Sequence, residues 1–411
     1  MKADEVSRPL SFAEAVTTIL DHSLHGQRVV TVPISEAAGW VLAEEFRADL
    51  DMPTFQRAAM DGFAFRHSDS EGRDAFRIVD TVAAGDLKQV RLGQGECVRI
   101  MTGAPVPDDA DTVIPVEETH ASGDTVRFRS IPSRGSHIAP RGQDVHEGQV
   151  VLQDGCVLRP QEIAILASVG RRSVPVYAGP SIAFAATGDE LVEPGEPLRP
   201  GCIRNANAYS LWSQILTARA TPHYLGILRD RPEPLREKIA EGLEHDFLIL
   251  SGGVSMGEFD LVPQVLEELD VRILFRRLLV RPGQPTVFGV HETEGRRTLV
   301  FGLPGNPIST LLSFDQYVAP AVRVFRGHPQ PLVPVQQGEL TQTVRKRAGF
   351  LTLIPCISRW SDRRYRLDPL RFHGSADIYA ITGADAVAYL PVGVEEALAG
   401  TIVDFRKMYQ P

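Results

Sequence analysis

Through the middle of the chain, short apolar runs alternate with amphipathic stretches. Ser181-Ile-Ala-Phe-Ala-Ala186 is almost wholly apolar, and residues 208–218 then space apolar side chains at helical intervals. Tyr224-Leu-Gly-Ile-Leu228 and residues 233–243 repeat the pair. Phe247-Leu-Ile-Leu250, a helical stretch after Asp260, Val271-Arg-Ile-Leu-Phe275, Thr298-Leu-Val-Phe301 and a helix over 307–325 continue it. Short apolar runs bounded by turn residues read as buried strands, and a repeat of about 3.6 residues reads as helix. The rhythm between about residues 180 and 327 predicts an open, mostly parallel, doubly wound α/β sheet.

The flanks read differently. Residues 11–22 form a helical pattern, with Ser11 and Glu14 spaced as a capping box. The extended segment Val29-Val-Thr-Val-Pro33 and a helix over 35–43 follow. From about Arg47 to Pro140 alternation dominates, as in Phe76-Arg-Ile-Val79, Cys97-Val-Arg-Ile100 and Thr125-Val-Arg-Phe128, and a helical pattern returns at 161–167. Alternation resumes after Leu332, in Phe350-Leu-Thr-Leu-Ile354, Ala386-Val-Ala-Tyr-Leu390 and Thr401-Ile-Val-Asp-Phe405. We expect four domains: a discontinuous helical one (1–46 with 141–178), a β-rich insert (47–140), the α/β domain (179–327) and a small C-terminal β-barrel (328–411).

In an open α/β sheet, ligands bind beyond the carboxyl ends of the strands. The informative polar segments fall there. Thr187-Gly-Asp-Glu190 follows the first strand, Arg229-Asp230 the second, and Ser251-Gly-Gly-Val-Ser-Met-Gly-Glu-Phe-Asp260 the third. Arg281-Pro-Gly-Gln-Pro285 follows a run ending at Val280, and Gly302-Leu-Pro-Gly-Asn-Pro307 one ending at Phe301. Gly252, Gly253 and Gly257 let the backbone approach a ligand closely, and N–H groups at a strand–loop–helix junction cradle an anion. Ser251, Ser255, Glu258 and Asp260 add hydroxyls and carboxylates. Each loop alone is better explained as a turn; five on one rim predict a crevice. Neither a G-x-G-x-x-G nor a G-x-x-x-x-G-K-[ST] pattern occurs, which argues against NAD and ordinary nucleotide triphosphates.

Composition narrows the picture little. With 43% hydrophobic and 23% charged residues the chain reads as globular. No apolar run approaches the roughly 20 residues that span a bilayer, and the start lacks a signal-peptide layout, so we expect a cytoplasmic protein without membrane partners. The net charge of −9 argues against nucleic acid. The four cysteines lack C-x-x-C spacing and the histidines lack ligand spacing, so neither suggests zinc or disulfides.

Six segments, in order, carry a resemblance. Pro53-Thr-Phe-Gln-Arg-Ala-Ala-Met-Asp-Gly-Phe-Ala64, Arg99-Ile-Met-Thr-Gly-Ala-Pro-Val-Pro107, Arg141-Gly-Gln-Asp144, Thr187-Gly-Asp-Glu-Leu191, Ser251 to Asp260 and Gly302 to Pro307 resemble the motifs of the MoeA-type molybdopterin molybdenumtransferases, which include the gephyrin E domain. The resemblance runs from about residue 9 to the C-terminus. It implies an elongated, four-domain homodimer that inserts molybdate (or tungstate) into adenylylated molybdopterin and releases AMP with Mg²⁺ present. It places the active cleft between the α/β domain of one chain and the β-rich domain of the other. The molybdopterin adenylyltransferase and apo-molybdoenzymes would be its protein partners.

The resemblance also implies residue roles. Asp61, otherwise half of an Asp-Gly turn, Asp144, otherwise a turn cap, and Thr102 become active-site residues. Glu190, Asp230 and Asp260 become Mg²⁺ ligands, since Mg²⁺ prefers hard oxygens and bridges to phosphates. Asp260 also fits a helix N-cap, and Asp230 an exposed loop. Asn306-Pro307 reads on its own as an N-cap followed by a first-turn proline. Thr187, Gly188, Ser251, Gly252, Gly253, Ser255, Pro304, Gly305, Asn306 and Pro307 would line the pterin and phosphate pocket. Pro282, Gly283 and Pro285 would bind the cofactor, and Arg281 with Arg347 and Ser375 would hold the oxyanion. There are departures. Alanines stand at 58, 186 and 206 where family signatures carry serine, Gln284 stands for a lysine, and Thr352 stands for an arginine. Loss of two cations leaves an oxyanion less well held, with Tyr365 and Arg371 as candidate substitutes. A pterin-carrying paralogue and a scaffold are the competing functions; nothing in residues 332–411 shows a peptide groove.

Overall fold

The computed structural model describes residues 8–86, 88–229, 231–253 and 261–408. Its central sheet has six strands: β1 (Ser181–Thr187), β2 (Thr221–Leu228), β3 (Phe247–Ser251), β4 (Arg272–Phe275), β5 (Val287–Thr293) and β6 (Arg296–Leu303). Their spatial order is β2-β1-β3-β6-β5-β4. β1 pairs in parallel with β2 and β3, and β3 with β6, while β5 runs antiparallel to both neighbours. Four helices cover it: α1 (Ala206–Thr217), α2 (Pro232–Gly242), α3 (Val262–Glu268) and α4 (Pro307–Ser313).

Both faces of this sheet are buried, which is why its strands read as continuous apolar runs. Successive side chains in a strand point to opposite faces. Accordingly Ile182 and Phe184 join one core with Leu211, Ile249 and Phe301, while Ala183 and Ala185 join the other with Leu235, Ile239, Leu248 and Leu266. From β1 the chain winds first to β2 on one side and then to β3 on the other. A crevice opens at such a reversal, between the loops after β1 and β3.

In the β-rich region, Gly62–Phe65 lies between Thr112–Pro115 and Glu96–Ile100 within a six-stranded sheet. The C-terminal region closes a five-stranded barrel: Leu351–Ser361 pairs with both Arg364–Pro369 and Ala386–Leu390. Val29–Pro33 pairs with Ser173–Tyr177, so the chain returns to its N-terminal region after the β-rich segment. The helix Phe12–His22 has the expected capping box from Ser11 and Glu14. Its apolar face, Ala15, Val16 and Ile19, packs into the α/β core.

Two expectations require correction. The helix over 35–43 is absent; only the 3-10 turn Ile34–Glu36 forms. Gly39 adopts φ +78° and donates its N–H to the Leu158 carbonyl, which turns the chain so that Val41 and Leu42 bridge to Val157 and Val176. The Arg281–Pro285 loop, expected after a strand of the α/β sheet, follows the pair Val280–Arg281. That pair instead lies against Leu351–Thr352 at the edge of the C-terminal sheet. A two-residue strand carries no register information of its own, so its neighbour was illegible.

The predicted helix over 307–325 is one run of three parts: α4, a π-turn at Phe314–Val318, and Ala319–Phe325. The π-turn is a junction. Asp315 accepts from Arg406 in a buried ion pair at 2.7 Å, and Gln316 accepts from the Tyr389 hydroxyl at 2.9 Å. The Phe12 ring lies 5.8 Å from the rings of both Tyr317 and Tyr389. N-terminal helix, α/β domain and barrel therefore meet on one turn.

Candidate active site

The crevice at the strand reversal is built by backbone proximity. Gly252 (φ +94°) and Gly253 (φ +62°) follow β3, and both adopt a conformation that disfavours side chains. A Cβ on Gly252 would lie 2.8 Å from the Thr187 carbonyl oxygen, and one on Gly253 would lie 2.7 Å from the Thr187 hydroxyl. The ends of β1 and β3 thus touch, and Thr187, Gly252 and Gly253 share one spot. The Thr187 hydroxyl is buried and finds no hydrogen-bond partner among the described residues. A buried hydroxyl is costly to leave unpaired, which makes it a candidate ligand contact.

The Gly302–Pro307 loop joins them through residues that sequence reasoning missed. Asn207, on the first turn of α1, donates to the Ser251 hydroxyl at 2.9 Å and to the Gly305 carbonyl at 2.7 Å. A Cβ on Gly305 would lie 3.5 Å from the Gly252 Cα. Thr310 donates to the carbonyls of Pro304 and Asn306. The cap at Asn306 differs from expectation: its side chain makes no capping bond but donates to the Ser375 hydroxyl at 2.9 Å. Ser375 in turn accepts the Ile308 N–H at its carbonyl. Asn205, two residues before Asn207, is the side-chain N-cap of α1.

Glu190 is exposed, and its carboxylate folds over Gly188, whose added Cβ would meet it at 2.5 Å. One guanidinium nitrogen of Arg229 donates to three carbonyls of this loop, those of Gly188 (3.3 Å), Asp189 (2.8 Å) and Leu191 (3.3 Å). These carbonyl oxygens are thereby occupied, which leaves the exposed Glu190 carboxylate as a hard donor on this loop, beside that of Asp189. That donor suits Mg²⁺, which takes one or two carboxylates and keeps its remaining positions for water and phosphate. Among the described residues, no group of three metal-ligating side chains occurs. Asp230, Asp260 and Ser255, predicted with Glu190 for this site, lie outside the described residues.

In the β-rich region, Asp61 accepts from the backbone N–H of Thr102 at 2.7 Å and from its hydroxyl at 2.8 Å. These two bonds, with Arg99 nearby, hold the Asp61 carboxyl below its ordinary range. Asp144 forms an ion pair with Arg57 at 3.5 Å. Ala58, next to Arg57, exchanges backbone bonds with Gly103 and Ala104, so the segment 57–61 braces both carboxylates against the Thr102 loop. Among the described residues, no hydrogen bond or ion pair joins Asp61, Thr102 or Asp144 to the crevice of Thr187, Ser251 and Gly305.

The cationic end is sparse. The Arg281 guanidinium lies 4.2 Å from the centre of the Phe350 ring. Pro282, in a cis bond with Arg281, leads to Gly283 at φ +110°, whose carbonyl accepts from the Thr286 hydroxyl just after Pro285. Arg347 is exposed, whereas Lys346 is spent on the carbonyls of Phe350, Leu390 and Pro391. Gln284 carries no charge, and Thr352 is the register partner of Arg281. The Tyr365 ring packs on Trp360 and Phe405, with Lys407 above it. Arg371 lines the same cleft as Thr352.

Fold and site together define an open α/β domain with a glycine-lined crevice at its strand reversal, flanked by β domains. The chain matches, over residues 10–170, the MoeA N-terminal region (domain I and II); over 183–324, the probable molybdopterin binding domain; and over 337–408, the MoeA C-terminal region (domain IV). It belongs to the MoeA family. It is 32% identical to the molybdopterin molybdenumtransferase of Bacillus subtilis (strain 168) over 97% of this chain and 94% of that protein. It is also 32% identical to the molybdopterin molybdenumtransferase of Staphylococcus aureus (strain Mu50) over 97% and 96%. The solved molybdopterin biosynthesis MoeA protein of Pyrococcus horikoshii OT3 matches at TM-score 0.81 and 26% identity, covering 98% of this chain and 100% of that one. Among the described residues, no helix is long and apolar enough to cross a membrane.

Proposed function

We propose that this protein inserts molybdate into the dithiolene of adenylylated molybdopterin and releases AMP, acting in molybdenum cofactor biosynthesis. The observation that carries this reading is the crevice at the strand reversal, where Gly252 and Gly253 crowd Thr187, Gly305 lies against Gly252, and the buried Thr187 hydroxyl has no partner among the described residues. Open glycine backbone there admits a flat pterin and its phosphates. Glu190, with Asp230 and Asp260, would hold Mg²⁺. The ion supplies charge neutralisation on the phosphates. Arg229 keeps Glu190 presented by binding the loop's carbonyls. Asn207 keeps the Ser251 and Gly305 loops at fixed spacing, and Asn306 and Ser375 tie that wall to the C-terminal barrel. Arg281, Arg347 and Ser375 receive the oxyanion.

Asp61 and Asp144 would reach this crevice from the second chain of a homodimer. That their braced loops make no bond to the crevice among the described residues of one chain supports it. The test is incubation with adenylylated molybdopterin, Mg²⁺ and molybdate while AMP is followed; no AMP at any molybdate concentration overturns the reading. A second function, carriage of the pterin without turnover, is favoured by the uncharged Gln284 and Thr352. Tight pterin binding without AMP release would select it.

A further inference from the structure

The loop that presents Glu190 leaves β1 at Thr187 and reaches α1 only at Asn205. Its backbone is held lightly. Leu191–Val192 pairs in parallel with Ile203–Arg204, two residues on each side. The Ile203 N–H donates to the Glu190 carbonyl and the Asn205 N–H to the Val192 carbonyl, each at 2.9 Å. A strand pair this short does not stabilise a loop by itself.

Glu193, directly after Val192, supplies an anchor. The Tyr224 hydroxyl donates to one of its carboxylate oxygens at 2.5 Å, and the Tyr209 hydroxyl donates to the other at 3.1 Å. Tyr224 belongs to β2 and Tyr209 to α1, so one side chain ties the loop to two elements of the α/β domain. Packing aims the first donor: the Tyr224 ring stacks on Phe184 of β1, with centroids 5.2 Å apart. Burial, and then Glu193, raise the Tyr224 phenol above its ordinary range, so it stays a donor at any working pH. Its oxygen also accepts from the Asn205 amide at 2.8 Å, and buried Asn205 caps α1 by accepting the Ala208 N–H. Two hydroxyl donors on separate oxygens call for a carboxylate, since an amide offers one acceptor.

The connection then reaches the crevice. Two residues beyond Asn205, Asn207 bridges the Ser251 hydroxyl to the Gly305 carbonyl. The Glu190 loop and the crevice wall therefore hang on the same first turn of α1. We propose that Glu193 is a positioning residue for Glu190, locking its loop to that turn and so setting where the Glu190 carboxylate stands relative to the crevice. The inference deepens the molybdate-insertion reading and rests on it for the ion that Glu190 holds.

Two measurements on the full-length protein need no turnover. Amide hydrogen exchange at Ile203 and Asn205 reports the closure of the loop. Mn²⁺, standing in for Mg²⁺, reports the metal through the EPR signal of the free ion with AMP present. Glu193→Ala should speed exchange at both amides roughly tenfold. It should also weaken Mn²⁺ binding about tenfold, the lower end for residues that support a metal ligand. Glu190→Gln should weaken Mn²⁺ binding and leave the exchange unchanged. Glu193→Gln, which keeps one acceptor, and Tyr209→Phe, which removes one donor, should each fall between wild type and Glu193→Ala. They carry the same test should Glu193→Ala fail to fold.

Mn²⁺ binding that falls in Glu190→Gln but not in the Glu193 variants overturns the proposal. Unchanged exchange, or a wild type that binds no Mn²⁺, overturns it too. AMP release separates the two readings. If wild type turns over and Glu193→Ala needs no more Mg²⁺ than wild type, insertion stands and the positioning role falls. If wild type never releases AMP, yet Glu193→Ala loses Mn²⁺ as Glu190→Gln does, the positioning role stands and insertion falls.

Discussion

Asp61 accepts two hydrogen bonds from a single residue, Thr102, through its N–H at 2.7 Å and its hydroxyl at 2.8 Å. Two donors on one oxygen favour the charged carboxylate, so its pKa falls from the ordinary 3.8. The depressed value sets the sign of a pH effect. The contribution to stability is present above the ordinary value and is lost as pH falls through the lower folded value. Thr102→Val removes the hydroxyl and keeps the N–H. Asp61 should then titrate at higher pH, and the acid limb of the activity profile should move up with it. Carboxyl titration by NMR checks this; an unmoved Asp61 would remove Thr102 from its role.

A shared site across two chains predicts complementation. Asp61→Asn and Glu190→Gln should each abolish AMP release in homodimers. Mixed after subunit exchange, they should recover activity, because a hybrid retains one site with both carboxylates. No recovery despite demonstrated exchange would place the site within one chain.

Arg229 binds three carbonyls of the loop that presents Glu190. Arg229→Met should raise the Mg²⁺ concentration for half-maximal AMP release by roughly tenfold, about one charge-assisted bond. Pterin affinity and melting temperature should change little, and Arg229→Lys should recover part of the effect. An unchanged Mg²⁺ titration sinks the positioning role.

Gly252→Ala tests the crevice itself. At φ +94°, with an added Cβ 2.8 Å from the Thr187 carbonyl oxygen, alanine is both strained and crowded. A cost of about 1–3 kcal/mol is expected, together with a loss of pterin binding. Wild-type binding and denaturation midpoint would show that β1 and β3 do not close here as described.

The Arg406–Asp315 pair joins barrel to π-turn and is nearly buried, at 4% and 11% side-chain exposure. Arg406→Met leaves a carboxylate without its cation inside the protein and should destabilise by about 3–5 kcal/mol. Adding Asp315→Leu should return much of that, since the uncompensated charge is then gone. A fully additive double variant, measured by urea denaturation, would contradict the coupling.

Much of this was legible in the order of residues. The runs Ser181–Ala186, Tyr224–Leu228 and Phe247–Leu250 announced buried strands because their burial on both faces requires apolar side chains at every position. The capping box of Ser11 and Glu14 was equally local, and so were the loops that fall on one rim. What the residue pattern did not contain was neighbourhood. That Asn207 bridges Ser251 to Gly305, that Arg229 holds the Glu190 loop, and that Arg281 lies beside Thr352 depend on strand order and domain contact. These are contacts between segments distant in the chain, and a side chain's type does not say which distant partner it will meet. Even the lost helix near Gly39 was decided this way, since a carbonyl at Leu158 drew the turn that periodicity alone had made helical. Local chemistry settled most of the elements; packing settled the rest, along with what each polar group touches, and so which of them act together.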